Sequence, residues 1–265
     1  MKQAVLNQTQ LRFLEEILLR YGIVVTYAEI ATLVPASGDA GKRQFVSRLV
    51  QAGWLVRIKN GVYQIADLSS LGTLTLSRYA IAIILVPESY ISFEGALQFH
   101  GLHDQMMQTL TSVSLRQHAA TDLNGLTYRY VRTKQEFFFG FETHVFDGRE
   151  SQIATAEKAL IDLVQLHRTA YTSDLVAEVL TDNGHQLDLD RLNQYLERAN
   201  LTTQRIFGFL LEELGIGYDD ELLRRAQSTA ASTRLTHDSS AYNAKWRLYY
   251  DPDLLGRYSI AGNGL

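Results

Sequence analysis

The sequence predicts an α+β chain: an N-terminal winged helix-turn-helix joined to a larger mixed α/β body. Three observations carry this prediction. Residues 43–65 read as a short amphipathic helix, a glycine and a hairpin with a basic tip. Residues 1–66 hold eight Lys/Arg against four Asp/Glu, a balance of +4, while the remainder holds 17 against 25, a balance of −8. Beyond the head, a β-rich stretch at 112–146 gives way to helical periodicity from Ala156 onward.

The head is read element by element. Leu11, Leu14, Ile17 and Leu18 recur at helical spacing over 8–20, with Asn7 and Gln10 placed as a capping box and Gly22 as the stop. Thr26 and Glu29 form a second capping-box pattern, opening a short helix that Pro35 closes. Ser37-Gly-Asp39 offers caps for a third helix over 40–52, whose buried stripe is Phe45, Val46, Leu49 and Val50. Asn60-Gly61 then signals a two-residue type I′ turn, which needs positive φ at both positions. In that register Ile58 faces Tyr63, Arg57 faces Gln64 and Val56 faces Ile65. Val56, Ile58, Tyr63 and Ile65 would share one face, and Arg57, Lys59 and Gln64 the other. The head is expected to end at residue 66, with 67–72 as a linker and 67–265 as the body.

In the body, 74–85 reads as a helix, and Ser92 as the cap of another over 93–100 that Gly101 stops. Phe137-Phe-Phe-Gly-Phe-Glu-Thr-His-Val-Phe146 holds five of the eleven phenylalanines and reads as buried core. Asn124-Gly125 is a second hairpin signal. Helices follow over 156–166, 173–181, 188–199, 204–214 and 219–231, and the segment at Trp246 adds a strand or tail.

Composition bounds the chemistry. No run approaches the ~18 apolar residues of a membrane span, the N-terminus lacks an apolar signal core, and there is no cysteine among the 265 residues. A cytoplasmic protein without membrane partner, disulfide or thiolate metal site is expected. The run Ser37–Arg43 is not a phosphate loop, because position 36 is Ala rather than Gly and Arg43 stands where Ser or Thr is required. His100 and His103 straddle Gly101 and are expected to be a packed histidine and a loop histidine rather than metal ligands. Glu157-Lys158 opens a helix, where Glu157 complements the helix dipole, and adjacent Glu-Lys is not nuclease spacing. No cofactor is implied and no enzyme is expected.

The informative constellation is the polar face of the third helix: Arg43, Gln44, Ser47, Arg48 and Gln51. Arg reads guanine bidentately in the major groove, Gln reads adenine, and Ser serves either. Lys42 and the hairpin's Arg57 and Lys59, with Asn60 at its tip, suit phosphate or minor-groove contacts.

Three segments together resemble one family. Leu49-VQAGWLVRIKNGVYQI resembles the wing-entry pattern of bacterial type IV antitoxins of the AbiEi family, and Tyr90-ISFEGALQFHGL resembles the helix that follows that family's DNA-binding head. Gly148-RESQIATAEKALIDLVQL resembles its signature, an Ala-x-x-Glu-Lys-Ala-Leu-(Leu/Ile)-Asp-Leu core, here Ala154 to Leu163. The resemblance covers about 43–166 and assigns nothing after about Tyr171. It implies a repressor-antitoxin whose winged helix binds inverted repeats in its own promoter, with dimer formation on DNA as one arrangement. It also implies a body that counters a nucleotidyltransferase-type toxin, with or without direct contact. By position, the implied DNA contacts are Lys42, Arg43, Gln44, Ser47, Arg48, Arg57 and Lys59. Two other classes stay open: a DNA-associated nuclease, marked by a carboxylate–lysine cluster in a cleft, and a solitary regulator whose body senses a ligand.

Overall fold

The computed structural model describes residues 6–34, 38–66 and 72–253. Contacts divide the chain into two units, Met1–Pro87 with Asp122–Gly125, and Glu88–Thr121 with Leu126–Leu265. The expected roles of Pro35 as helix stop, Ser37 as cap and 67–71 as linker lie outside the described residues.

The first unit has winged-helix topology. Its order is α1 (Gln8–Tyr21), β1 (Val24–Thr26), α2 (Tyr27–Leu33), α3 (Asp39–Gln51), β2 (Leu55–Lys59), β3 (Val62–Ile65) and α4 (Arg78–Leu85). The strands form an antiparallel sheet in the order β1-β3-β2. Both expected capping boxes form: Asn7 with Gln10, and Thr26 with Glu29, so the first orphan amides of α1 and α2 are satisfied locally. Phe13, Leu14, Ile17, Ile30, Val46, Leu49 and Trp54 make the core. The buried face of α1 is Phe13, Leu14 and Ile17, whereas Leu11 and Leu18, which share the helical spacing, are 46% and 50% exposed at its edge.

The hairpin register differs from the expected one. Lys59 pairs with Val62, but Arg57 pairs with Tyr63, Val56 with Gln64 and Leu55 with Ile65, with a bulge between Arg57 and Lys59. Packing explains it: Leu55 and Ile58 are both buried although three apart, which strict alternation forbids and one extra residue allows. Gly61 has φ +73, whereas Asn60 does not adopt positive φ, so the turn is not type I′. Gln64, placed by the sequence on the outer face with Arg57, is fully buried. Its Nε2 donates to Thr75 Oγ1 (2.7 Å), and its Oε1 accepts from the amides of Thr75 (3.0 Å) and Leu76 (3.3 Å). Those bonds engage the amides of Thr75 and Leu76, and α4 starts at Arg78, after the Ser77 cap, rather than at Leu74. They also tie this segment to the head, and the units divide at Pro87 rather than residue 66.

A six-stranded sheet runs in the order β6-β7-β5-β4-β9-β8; the second unit is built on its strands β7, β5, β4, β9 and β8, while residues 122–125 at the β6-β7 turn group with the first unit. The sheet's strands are β4 (Ser89–Ile91), β5 (Thr109–Ser114), β6 (Thr121–Leu123), β7 (Leu126–Arg132), β8 (Phe141–Phe146) and β9 (Arg149–Ala154), with α5 (Phe93–Phe99) following β4. Asn124 and Gly125 have φ +54 and +76, the backbone a type I′ turn requires, and Asp147-Gly148 repeats it at +51 and +72 between β8 and β9. The helices are α6 (Ala156–Leu166), α7 (Ala170–Asn183), α8 (Leu189–Arg198), α9 (Leu201–Glu213) and α10 (Asp220–Ala226). A small sheet of β10 (Thr233–Arg234), β12 (Leu248–Tyr250) and β11 (Ala241–Asn243) closes the described chain. Among the described residues, no helix is long and apolar enough to cross a membrane.

Helix α9 is the buried axis of the helical part, with every residue from Thr203 to Leu211 buried. Gly208 sits so close to the indole of Trp246 that a methyl there would run into the ring. The Trp246 Nε1–H donates to Glu212 Oε2 at 2.6 Å, and Lys245 pairs with the same carboxylate. Partial burial alone would raise the Glu212 pKa. The hydrogen bonds from Lys245 and Trp246 win and hold it below the usual carboxylate range.

Candidate nucleic-acid interface

The N-cap of helix α3 is Gly38, whose φ of +92 suits glycine, and Asp39 supplies a negative charge in the first turn. Val46 and Leu49 face the core, and Phe13 meets the Phe45 ring edge-on at 4.8 Å. At the other end, the Trp54 amide donates back to Leu49 O (2.9 Å) and the Gly53 amide to Val50 O (3.0 Å), a Schellman-type stop. The chain therefore passes from α3 into β2 without a loop. The hairpin tip is held too, since the Tyr27 amide donates to Gly61 O at 2.7 Å.

These anchors leave one polar surface. Arg43, Gln44, Ser47, Arg48 and Gln51 are all exposed, as are Arg57 and Asn60. A groove of about 580 Å³ runs between helix and hairpin, and Arg43, Ser47, Gln51, Arg57, Asn60 and Tyr27 line it. The Arg57 guanidinium lies 5.8 Å from the centre of the Tyr63 ring, and both residues line the groove. Gln44 and Arg48 lie on the same helix but outside the groove. Lys42 is half-buried, and Lys59 donates its ammonium to Leu85 O at 3.3 Å, leaving two of its three protons for an outside acceptor. Among the described residues, Arg43, Arg48 and Arg57 join no ion pair. An exposed group of cations with no carboxylate against it suits a polyanion. Tyr27 is the groove residue that sequence reasoning missed. Its only signal was its place as the first residue after the Thr26 cap.

The signature segment builds interior. Lys158 and Asp162, one turn apart on α6, form an ion pair that is 1% and 0% exposed. Asp162 Oδ2 also accepts from Tyr90 Oη (3.0 Å) and Ser92 Oγ (2.7 Å). Ser92 thus holds the N-cap position of α5, but its hydroxyl serves Asp162 instead of the helix amides. Burial first, then the Asp162 charge and hydrogen bond, push the Tyr90 hydroxyl well above its usual pKa. The Lys158 ammonium lies 5.5 Å from the Tyr90 ring centre and 5.0 Å from that of Phe139, and the Arg198 guanidinium covers Phe139 at 3.6 Å. Tyr90 also packs on Phe138 and Phe141, which cover the pair, but Phe137, Phe138, Phe139, Phe141 and Phe146 are all half-buried, so the run is a cover over the pair rather than the expected buried core. Gly140 has φ +76 and lies so close to the Lys158 stem that a methyl there would sit 3.0 Å from it. Glu157 Oε1 accepts the Asp188 amide at 2.9 Å, so this acid caps the neighbouring helix α8 as well as opening its own. His100 Nε2 lies 2.8 Å from Ala154 O.

The fold defines a mixed α/β protein with a winged-helix head. The chain is similar to the solved structure of the RV2827C protein from Mycobacterium tuberculosis, with a TM-score of 0.69 over 98% of this chain and 96% of that one. Sequence identity is 13%, so the likeness is one of fold. No family model and no curated protein matches the sequence.

Proposed function

We propose that this protein is a sequence-specific DNA-binding antitoxin that represses its own operon and counters a nucleotidyltransferase-type toxin. The observation that carries the DNA-binding part is the exposed, unpaired face of α3 beside the hairpin. On this reading Arg43, Ser47, Gln51 and, at the edge of the same exposed face, Arg48 meet base edges, and Arg57 and Asn60 meet backbone. The antitoxin part rests on the three resembling segments. The Lys158–Asp162 pair is sealed from solvent, so it supplies no reactive surface to a nuclease reading.

Mobility shifts with base-substituted operators test the assignment. Arg43→Ala or Arg48→Ala is expected to cost about 1–3 kcal/mol of binding and to relax preference at one base pair. Arg57→Ala is expected to weaken all sequences alike and to reduce the salt slope by about one unit. If neither arginine of α3 changes sequence preference, the helix is not the reading element. Co-expression with the toxin tests the second part. Arg48→Ala should lose repression and keep rescue, and loss of both together would place neutralisation in DNA binding itself.

A further inference from the structure

We infer a binding site for a free nucleoside phosphate in the second unit, where the end of β7 meets the start of α9. A cavity of about 620 Å³ lies there, lined by Arg132, Thr133, Lys134, Phe137, Gln165 and Asn200 among others. Four observations converge on a phosphate. Arg132 is exposed and joins no ion pair among the described residues. Lys134 has one carboxylate nearby, Glu136 at 3.6 Å, with both side chains largely in water (79% and 61% exposed), so that pairing is weak. Asn200 is the N-cap of α9, a helix of thirteen residues, and brings its positive end to the cavity wall. Thr133 is 7% exposed, and its buried hydroxyl has no hydrogen-bond partner, so a χ1 rotation that turns it to a phosphate in the cavity would satisfy it. Gln165 adds donors, because its Oε1 accepts the Asn200 amide at 2.9 Å and its NH₂ is left for another acceptor.

Size and lining select the rest of the ligand. A bare phosphate fills a small part of 620 Å³, which falls in the range of small-molecule sites. Phe137, with Leu115 and Leu166, gives an apolar wall on which a base can stack. These cations stand out on a region whose charge balance is −8. The site uses no residue of the α3 groove, so it stands or falls apart from the DNA reading.

Calorimetry on the full chain with ATP, AMP, inorganic phosphate and a short DNA duplex tests it. ATP should bind saturably and more tightly than phosphate. The double variant Arg132→Ala/Lys134→Ala should weaken ATP at least about tenfold, the scale of one lost charge-assisted bond, while melting like the parent without ligand, since both side chains are exposed. The wing variant Arg43→Ala/Arg57→Ala should keep ATP binding while losing affinity for the duplex. The proposal is overturned by absence of ATP binding, by equal binding of ATP and phosphate, by ATP binding that survives the Arg132/Lys134 change, or by ATP binding that the wing variant abolishes.

Discussion

Lys158→Met should destabilise the second unit by about 3–5 kcal/mol, because it leaves the Asp162 carboxylate buried without its cation. Asp162 is 0% exposed and would retain only the Tyr90 and Ser92 hydroxyls. Two neutral hydrogen bonds do not offset the desolvation of a full charge. Methionine keeps the length of the stem and its contact with Gly140, so the loss reports charge rather than packing. The pair itself is not expected to be a large net stabiliser, since two charges lose hydration to form it. Lys158→Met combined with Asp162→Leu should therefore recover much of the loss, although the Tyr90 and Ser92 hydroxyls then lack their acceptor. Urea denaturation of the single and double variants checks this. A double variant as unstable as the sum of both singles would mean that the four groups do not act as one unit.

Gly208→Ala should be comparably severe. A methyl at this position would lie 2.0 Å from Trp246 Cζ3, 2.2 Å from Cη2 and 2.5 Å from Cε3. No rotamer relieves that contact while the indole keeps its bond to Glu212, and Trp246 is fully buried. The added carbon must displace either the ring or α9, at a cost of about 3 kcal/mol, the upper end of overpacking penalties. Helix propensity alone predicts the opposite, a gain of about 1 kcal/mol for Gly→Ala in a helix interior. The sign of the change thus decides whether the indole contact governs. Trp246→Leu removes the clashing atoms, so on that background Gly208→Ala should be far less costly. Urea midpoints of the four proteins, followed by far-UV circular dichroism, give the comparison.

The parts legible in the sequence are those decided within a few residues. Asn7-x-x-Gln10 and Thr26-x-x-Glu29 specify their caps through neighbours three positions away, and both caps form. The exposed face of α3 was legible because helical spacing separates it from Val46 and Leu49. The parts that were not legible depend on distant contacts. The bulge at Ile58 follows from the need to bury Leu55 and Ile58 together, which alternation within the strand does not announce. The division at Pro87 follows from Gln64 binding a segment eleven and twelve residues further on. Lys158 and Asp162 are visible as an i, i+4 pair, but their burial depends on Tyr90 and Ser92, 72 and 70 residues away. Nothing around Gly208 signals that a tryptophan 38 residues later would need the space. Nor does Thr133, between Arg132 and Lys134, advertise an unsatisfied hydroxyl.

The most direct test of DNA recognition is the affinity of the full chain for its own upstream DNA and for a scrambled duplex of equal length, by fluorescence anisotropy across a salt series. The upstream sequence should bind at least about 10³-fold more tightly at physiological salt, with both affinities falling as salt rises. The gap should narrow in the Arg43→Ala/Arg48→Ala variant. Equal affinity for the two duplexes at every salt concentration would contradict the account.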